Sequence, residues 1–311
     1  MDRLHSIWDG RIASLAPTGF PAYGRLLHPA YGLDDMLVRW DAIAVHNNVP
    51  IRSTCDFVHV ALPEAVPDGA TAWVGDPPRL GTLEPGQAER LVEVLACQTK
   101  DAATVSFAID ANFGQHTLLT PPHPPEPAPD PIPAGVRQGL RMRLPGREYI
   151  IYRGSLDDAL VWIRQKNDPN WRWINAQTPH FWWPQDHAWA VASDSVLPWS
   201  IIAGSRDLIA QLVRDTEIEV VPISEHDVLD ARPDWLTAAM RRAVAELMQQ
   251  GQAVIATTRG SVVFRVTQND GMKLESGGGW ARLHPRRANR SLEDQVFDRI
   301  LGALMSQLHL L

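Results

Sequence analysis

The chain contains little that would mark it as secreted, membrane-bound or nucleic-acid-binding. It has only two cysteines, Cys55 and Cys97, in 311 residues, and they form neither a CxxC motif nor a disulfide framework. No apolar run reaches the roughly 20 residues of a membrane span, and the first residues lack the apolar core of a signal peptide. The net charge is −7, whereas nucleic-acid binders usually carry a basic patch. These absences predict a cytoplasmic protein with buried, reduced cysteines and with neither nucleic acid nor a membrane as a partner.

Motifs of the common catalytic and cofactor-binding sites are also missing. The chain has no GxGxxG, no Walker A motif, no HExxH and no GxSxG. Glu225, His226 and Asp227 resemble a metal cluster in composition only, because three consecutive residues rarely converge on one ion. We therefore assign no catalytic residue, no metal and no cofactor, and the sequence favours a protein that is not an enzyme.

Tryptophan, in contrast, is abundant: the chain has twelve, and seven of them lie between residues 162 and 199. Clustered tryptophans usually form core, although they also line ligand grooves and protein interfaces. Pro184 pushes the preceding residue into extended backbone, and consecutive residues of a strand point to opposite faces. We therefore expect Trp182 and Trp183 on opposite faces of a strand, with Trp183 in the core.

A candidate binding site follows from the residues around these tryptophans. Ligand sites are mostly apolar with a few polar groups. A carboxylate beside a histidine can orient the imidazole as a general base, but adjacent strand residues diverge, so Asp186 is expected to serve the local loop. His28, flanked by apolar residues, is more typical of a structural histidine. The candidate residues are Trp182, Trp183, Trp199, His28, Asp186 and His187.

Hydrophobic periodicity predicts an α+β fold. Residues 147–223 give the order β-α-β-β-α-β, with helices capped by Ser155 and Ser205. That order fits a split βαβ unit, a mixed or antiparallel sheet with helices on one face. The strands in it are predicted at 149–153, 189–193, 199–203 and 217–220, the last with Glu217 and Glu219 exposed. Upstream, we predict a strand at 23–28, a helix at 37–45 and a strand at 57–62.

Composition divides the chain into two parts. Residues 1–224 are predicted as the main α+β domain, interrupted by a proline-rich arm at 121–133 with eight prolines in thirteen residues. Residues 225–311 are predicted as a smaller α+β tail built as helix, hairpin and helix. Its hairpin turns at Arg259-Gly260, and Ser291 caps its final helix. Gly277 to Gly279 is expected to be flexible.

Several segments together resemble a family of uncharacterised actinobacterial proteins. They are Leu27-His28-Pro29-Ala30, Ala72-Trp73-Val74-Gly75, Trp182-Trp183-Pro184, Asp186 with Ala188-Trp189, and Ala203-Gly204-Ser205. The resemblance spans about residues 20–223, and it implies one main domain there and no particular activity. The family pattern has arginine where this chain has His187, and an acidic-apolar-acidic triplet where it has Asp194-Ser195-Val196.

Two hypotheses of function follow. The first is a non-enzymatic protein-binding or regulatory module, with an unidentified protein partner or with self-association through the C-terminal helices. The alternative is a small-molecule-binding protein or an enzyme with a tryptophan-lined pocket around residues 182–199. They differ in whether the candidate side chains converge on one open cleft or are buried in separate places.

Overall fold

A computed structural model gives the architecture of the protein. It describes residues 11–61, 75–111, 132–144, 147–164, 177–194, 197–228, 245–247, 249–250, 252–257, 260–267, 273–276 and 279–282. The chain divides into two compact units, the first from 1–29 and 79–230, the second from 30–78 and 231–311. The second unit therefore takes residues 30–78, which the sequence-based division assigns to the main domain. The proline-rich arm lies outside the described residues, except for its last two.

Helices and strands alternate through the described residues. The helices are α1 (Ile12–Leu15), α2 (Trp40–Asn47), α3 (Phe57–Ala61), α4 (Pro85–Ala96), α5 (Ala134–Arg137), α6 (Val161–Arg164), which follows a 3-10 turn at Leu156–Leu160, and α7 (Arg206–Val213). The strands are β1 (Ala22–Leu27), β2 (Ala30–Tyr31), β3 (Leu37–Val38), β4 (Val105–Asp110), β5 (Arg141–Leu144), β6 (Arg147–Gly154), β7 (Phe181–Pro184), β8 (Ala190–Ser193), β9 (Trp199–Gly204), β10 (Val220–Ile223), β11 (Gln252–Thr257), β12 (Gly260–Thr267), β13 (Lys273–Ser276) and β14 (Gly279–Arg282).

An eight-stranded antiparallel sheet forms the centre of the first unit, in the order β10-β1-β9-β8-β7-β4-β6-β5. The strands β6 and β7 both pair antiparallel with β4 between them, so they run parallel to each other. In the same way β9 and β10 flank β1. The predicted split βαβ unit is thus present twice, each time with one strand inserted from elsewhere in the chain.

The helices α4, α6 and α7 of the first unit pack on one face of this sheet. Strand residues of one parity, such as Leu26, Phe107 and Ile202, join a buried core with residues of α4, α6 and α7. Ser205 begins α7 by accepting a hydrogen bond from the Leu208 N–H at 3.1 Å. Both the α+β class and the packing of these helices on one face agree with the prediction.

Two predicted strands in this chain are wrong. Asp215 Oδ1 accepts the N–H groups of Glu217 and Ile218 in a turn, so the strand starts only at Val220 and Glu219 is buried. Residues 57–61 form a helix, and the Asp56 side chain accepts the Phe57 N–H at the start of that helix. The Asn47 side chain donates to the last carbonyls of that helix, which satisfies groups that a helix end leaves open.

The described residues of the second unit include a small hairpin, the helices α2 and α3, helical residues at 245–247 and 249–250, and a separate sheet. Strands β2 and β3 pair over Ala30–Val38, so the helix predicted from Leu37 begins only at Trp40. The rings of Trp40 and Phe57 pack 5.1 Å apart. The predicted pairing of β11 with β12 is confirmed, but Gly260, predicted in the turn, belongs to β12 and pairs with Thr257. Strands β13 and β14 extend the hairpin to four strands. Of the segment expected to be flexible, Gly279 lies in β14, and 277–278 lie outside the described residues. The final predicted helix lies outside the described residues.

Two further findings concern the cysteines and the membrane. Cys55 is buried, whereas Cys97 is exposed, which corrects the prediction that both are buried; both are free thiols. Among the helices that the structure describes, none combines the length and the apolar character of a transmembrane segment.

Candidate functional site

The two adjacent tryptophans of β7 lie on opposite faces of the sheet, as predicted, but their roles are reversed. Trp182 is fully buried in the helix-covered core, and its indole N–H donates to the Pro179 carbonyl at 2.7 Å. Trp183 is only half-buried. Trp182 pairs with Phe107 of β4, whose side chain faces the helices, and this register decides which tryptophan becomes core.

Asp186 organises the turn after β7. Its carboxylate accepts hydrogen bonds from the Lys100 N–H at 3.0 Å, the Ala188 N–H at 3.1 Å and the Thr99 hydroxyl at 3.2 Å. The Lys100 N–H is the main cause that holds the pKa of Asp186 below its usual range. The carboxylate therefore joins two loops of the fold, in agreement with the loop role predicted for it.

His187 follows Asp186 in the same turn and has left-handed backbone, with φ of 53°. A side chain at such a position carries a steric cost, and glycine or asparagine is more usual there. The imidazole is exposed to solvent, while the Asp186 carboxylate is used by the backbone. The two residues therefore do not form a carboxylate–histidine pair in this structure.

Trp199 lies on the face of the sheet opposite the helices. Its ring contacts the guanidinium of Arg25, whose central carbon lies 5.7 Å from the ring centroid, and both side chains are buried. Stacking of a guanidinium on an indole is a favourable cation–π contact that is strongest where water is excluded. Trp199 is thus part of a buried pair on β1 and β9, and one strand, β8, separates it from Trp183 on β7.

His28 forms a chain of hydrogen bonds at the end of β1. Its Nδ1 lies 2.8 Å from the Arg79 carbonyl oxygen and its Nε2 lies 2.9 Å from Ser200 Oγ. Ser200 Oγ in turn lies 2.6 Å from Ser193 Oγ. A carbonyl oxygen can only accept, so Nδ1 carries the proton, Nε2 accepts from Ser200, and Ser200 accepts from Ser193.

The same cluster is closed to solvent. His28 and Ser200 are fully buried, and Ser193 is 4% exposed. Burial lowers the pKa of His28 to about 4, against the opposing effect of the Arg79 carbonyl. The imidazole is therefore neutral at pH 7, as the hydrogen-bond directions require.

Ser193, Ser200 and Arg25 are residues that the sequence-based site left out. The sequence does indicate the two serines as site candidates, because they are polar residues at the inward-facing ends of the predicted hairpin strands. In the structure they pair across that hairpin. Arg25 carried no such signal, since a cation in a strand is usually exposed.

The acidic residues near the end of the first unit accept hydrogen bonds from neighbouring segments of the chain and do not surround an ion. Glu225 Oε2 accepts from the Gly19 N–H and the Tyr23 hydroxyl, each at 3.3 Å, and Asp227 accepts from the Ser224 N–H at 2.9 Å. Among the described residues, no group of three or more metal-ligating side chains has the arrangement of a metal site. The basic segment 284–290 lies outside the described residues.

The six candidate residues therefore do not meet in one place. His28 and Trp182 contribute to the helix-covered face, Trp183 and Trp199 lie at different positions of the opposite face, and the Asp186 turn is separate. Comparison of the chain with protein-family models, with curated proteins and with solved structures finds no match. The resemblance to actinobacterial proteins stays a prediction.

A different part of the molecule exposes apolar side chains: the tip of the β2–β3 hairpin, residues 33–37. The exposed fractions are 84% for Leu33, 65% for Met36 and 51% for Leu37. Asp34 and Asp35 lie between them and are also exposed. The tip thus presents three large apolar side chains and two carboxylates to solvent within five residues.

Proposed function

We propose that this protein is a non-enzymatic, cytoplasmic protein-binding module that docks a partner protein on the hairpin tip. The observation that carries this proposal is the exposure of Leu33, Met36 and Leu37. Removal of large apolar side chains from water by a partner contributes favourable binding free energy. The two free cysteines fit a reducing compartment.

Hydrogen bonds within the tip close its turn in the absence of a partner. The Gly32 N–H donates to the Met36 carbonyl at 2.8 Å, and the Met36 N–H donates to Asp34 Oδ1 at 3.2 Å. Asp35 occupies the left-handed backbone region that closes the turn, with φ of 61°. A preformed loop loses less conformational entropy on binding, so more of its contact energy appears as affinity.

The charges of the tip define the kind of partner. Asp34 and Asp35 form no ion pair with another described residue. A matching surface has an apolar depression for Leu33 and Met36 with lysine or arginine at its rim, because complementary charge at a rim steers association.

Among the described residues of the first unit, the candidate acid, base and nucleophile do not converge on an open site, which supports the non-enzymatic part of the proposal. A catalytic site needs acid, base and nucleophile within reach of one substrate atom. Here Asp186 is used by backbone amides and His28 is enclosed with Ser200, while the exposed His187 stands apart from both.

Quantitative affinity capture from the native host tests the tip. The comparison uses the wild type, the double variant Leu33→Ser/Met36→Ser, and Val45→Ser, which changes an equally exposed valine (81%) in the same unit. We expect the wild type and Val45→Ser to capture a partner protein that the double variant does not capture. The purified partner should then bind the purified wild type. If every protein captured by the wild type is captured equally by the double variant, the proposal is contradicted.

A second candidate function, a serine-dependent enzyme, has one observation in its favour. The His28–Ser200 distance of 2.9 Å is that of a general base and its nucleophile. This version of the tryptophan-pocket alternative needs an opening that exposes Ser200, which is buried here. A fluorophosphonate probe should leave Ser200 unmodified in the native protein, and labelling of Ser200 would favour the enzyme.

A further inference from the structure

The two edges of the eight-stranded sheet differ in their chemistry. At the β10 edge the Leu27 N–H donates to the Glu219 carbonyl, so Val221 faces β1 and the backbone of Pro222 points outward. Proline has no N–H to offer to another strand, and this is a common way of closing a sheet edge.

At the other edge, β5 keeps its outward backbone groups. The Ile151 N–H donates to the Leu140 carbonyl at 2.8 Å, so Leu140 and Met142 direct their backbone groups towards β6. The N–H and C=O groups of Arg141 and Arg143 therefore point away from the sheet. Among the residues that the structure describes, none accepts from or donates to these four groups.

The side chains along this edge alternate between charged and apolar. Arg141 and Arg143 are exposed on one face, and Leu140, 75% exposed, lies on the other with Met142. Glu148 pairs with Arg143 at 2.8 Å and with Arg141 at 3.8 Å. Two guanidinium groups thus share one carboxylate, which leaves an excess of positive charge.

These features select the partner. A second copy of β5, added antiparallel, would place arginine beside arginine, and like charges opposite each other destabilise a strand pair. A strand with carboxylates opposite Arg141 and Arg143 and an apolar residue between them satisfies both faces. Cationic side chains at an edge hinder pairing with arbitrary strands, so they act as a filter for acidic ones.

We propose that β5 is a docking edge that accepts an extended acidic-apolar-acidic segment of a partner protein as a ninth strand. The outward backbone groups supply up to four hydrogen bonds, and the arginines supply specificity, as in other strand-addition complexes. This inference extends the proposed protein-binding function to a second surface. It uses no residue of the hairpin tip, so either proposal can fail while the other stands.

The experiment uses the full chain and a fluorescein-labelled peptide of alternating glutamate and valine, long enough to cover β5. We expect saturable binding by anisotropy, with slowed hydrogen exchange at the amides of Arg141 and Arg143. A peptide that is N-methylated on the edge-facing amides should not bind, since it keeps the charges and loses the hydrogen bonds. The Leu33→Ser/Met36→Ser variant should bind the unmodified peptide as the wild type does.

Charge reversal provides the matched test on the protein. Arg143→Glu should weaken binding of the glutamate–valine peptide by about tenfold or more and allow binding of a lysine–valine peptide, whereas Arg143→Lys should retain most of the affinity. Lack of saturable binding to the wild type overturns the proposal. Equal binding of the N-methylated peptide also overturns it, because the attraction would then be electrostatic only.

Discussion

The pH dependence of stability should reveal the buried histidine at the end of β1. His28 has a pKa of about 4 in the folded protein, mainly because burial disfavours the charged imidazole, and about 6.5 in an unfolded chain. Between these two values the unfolded state binds the extra proton. Stability is therefore fully present above about pH 6.5 and decreases as the pH falls towards 4.

The size of the effect follows from the same two values. Each unit of difference in pKa corresponds to about 1.4 kcal/mol, so His28 should lower the free energy of unfolding by about 1.4 kcal/mol at pH 5.5 and by about 2.5 kcal/mol at pH 4.5, relative to pH 7.5. Carboxylates with lowered pKa values, such as Asp186 and Asp215, also stabilise the folded protein less as the pH falls. This loss occurs equally in any variant that keeps these carboxylates.

A comparison with His28→Gln removes this common contribution. Glutamine does not titrate, and it retains hydrogen-bonding capacity. The variant should still be less stable than the wild type at pH 7.5, because glutamine differs in shape from the buried imidazole. The difference between the two proteins, measured by urea unfolding, should shrink by the amounts given above as the pH falls. NMR titration of the wild-type imidazole gives a second measurement. A pH-independent difference, or an imidazole that titrates above pH 6 in the folded protein, would refute the assignment of His28 as a buried neutral group.

Two further predictions concern burial. Trp182→Ala should cost about 3–5 kcal/mol in urea unfolding and Trp183→Ala about 1–2 kcal/mol, because only the first residue is fully buried; the reverse order would show that the faces are misassigned. A thiol reagent should modify one cysteine per chain in the native protein, Cys97, and reach Cys55 only after unfolding. Modification of two thiols in the native state would contradict this.

Local chemistry made part of the fold predictable. The Ser155–Asp158 capping box is present, with the Ser155 N–H donating to Asp158 Oδ2 at 2.7 Å, and Ser205 caps α7. The hairpin of β8 and β9 follows from alternation and a polar loop. These signals depend on residues that are close in sequence, so a single sequence contains them.

The turn at Asp215, which replaces a predicted strand, is local, but other incorrect predictions involve partners that are distant in sequence. Alternation shows that Trp182 and Trp183 point to opposite faces, but the choice between them depends on pairing with Phe107 on another strand. The alternation at Phe57 is compatible with a strand, and Asn47, ten residues earlier, holds the helix that forms instead. The His28–Ser200 contact joins residues 172 apart in the sequence, which no local pattern reveals.

The position of β1 has a consequence for how the protein is made. Tyr23 pairs with Ala203 and Ile223 on the strands either side of it, so β1 is synthesised well before both of its neighbours. At a ribosomal rate of about 5–20 residues per second, β1 waits roughly 10–40 s for its second neighbour. Both backbone edges of β1 are available to chaperones, or to another nascent chain, until β9 is made, and one edge remains available until β10 is made. Completion of the sheet is therefore a late event, which requires that α7 and β10 have left the exit tunnel.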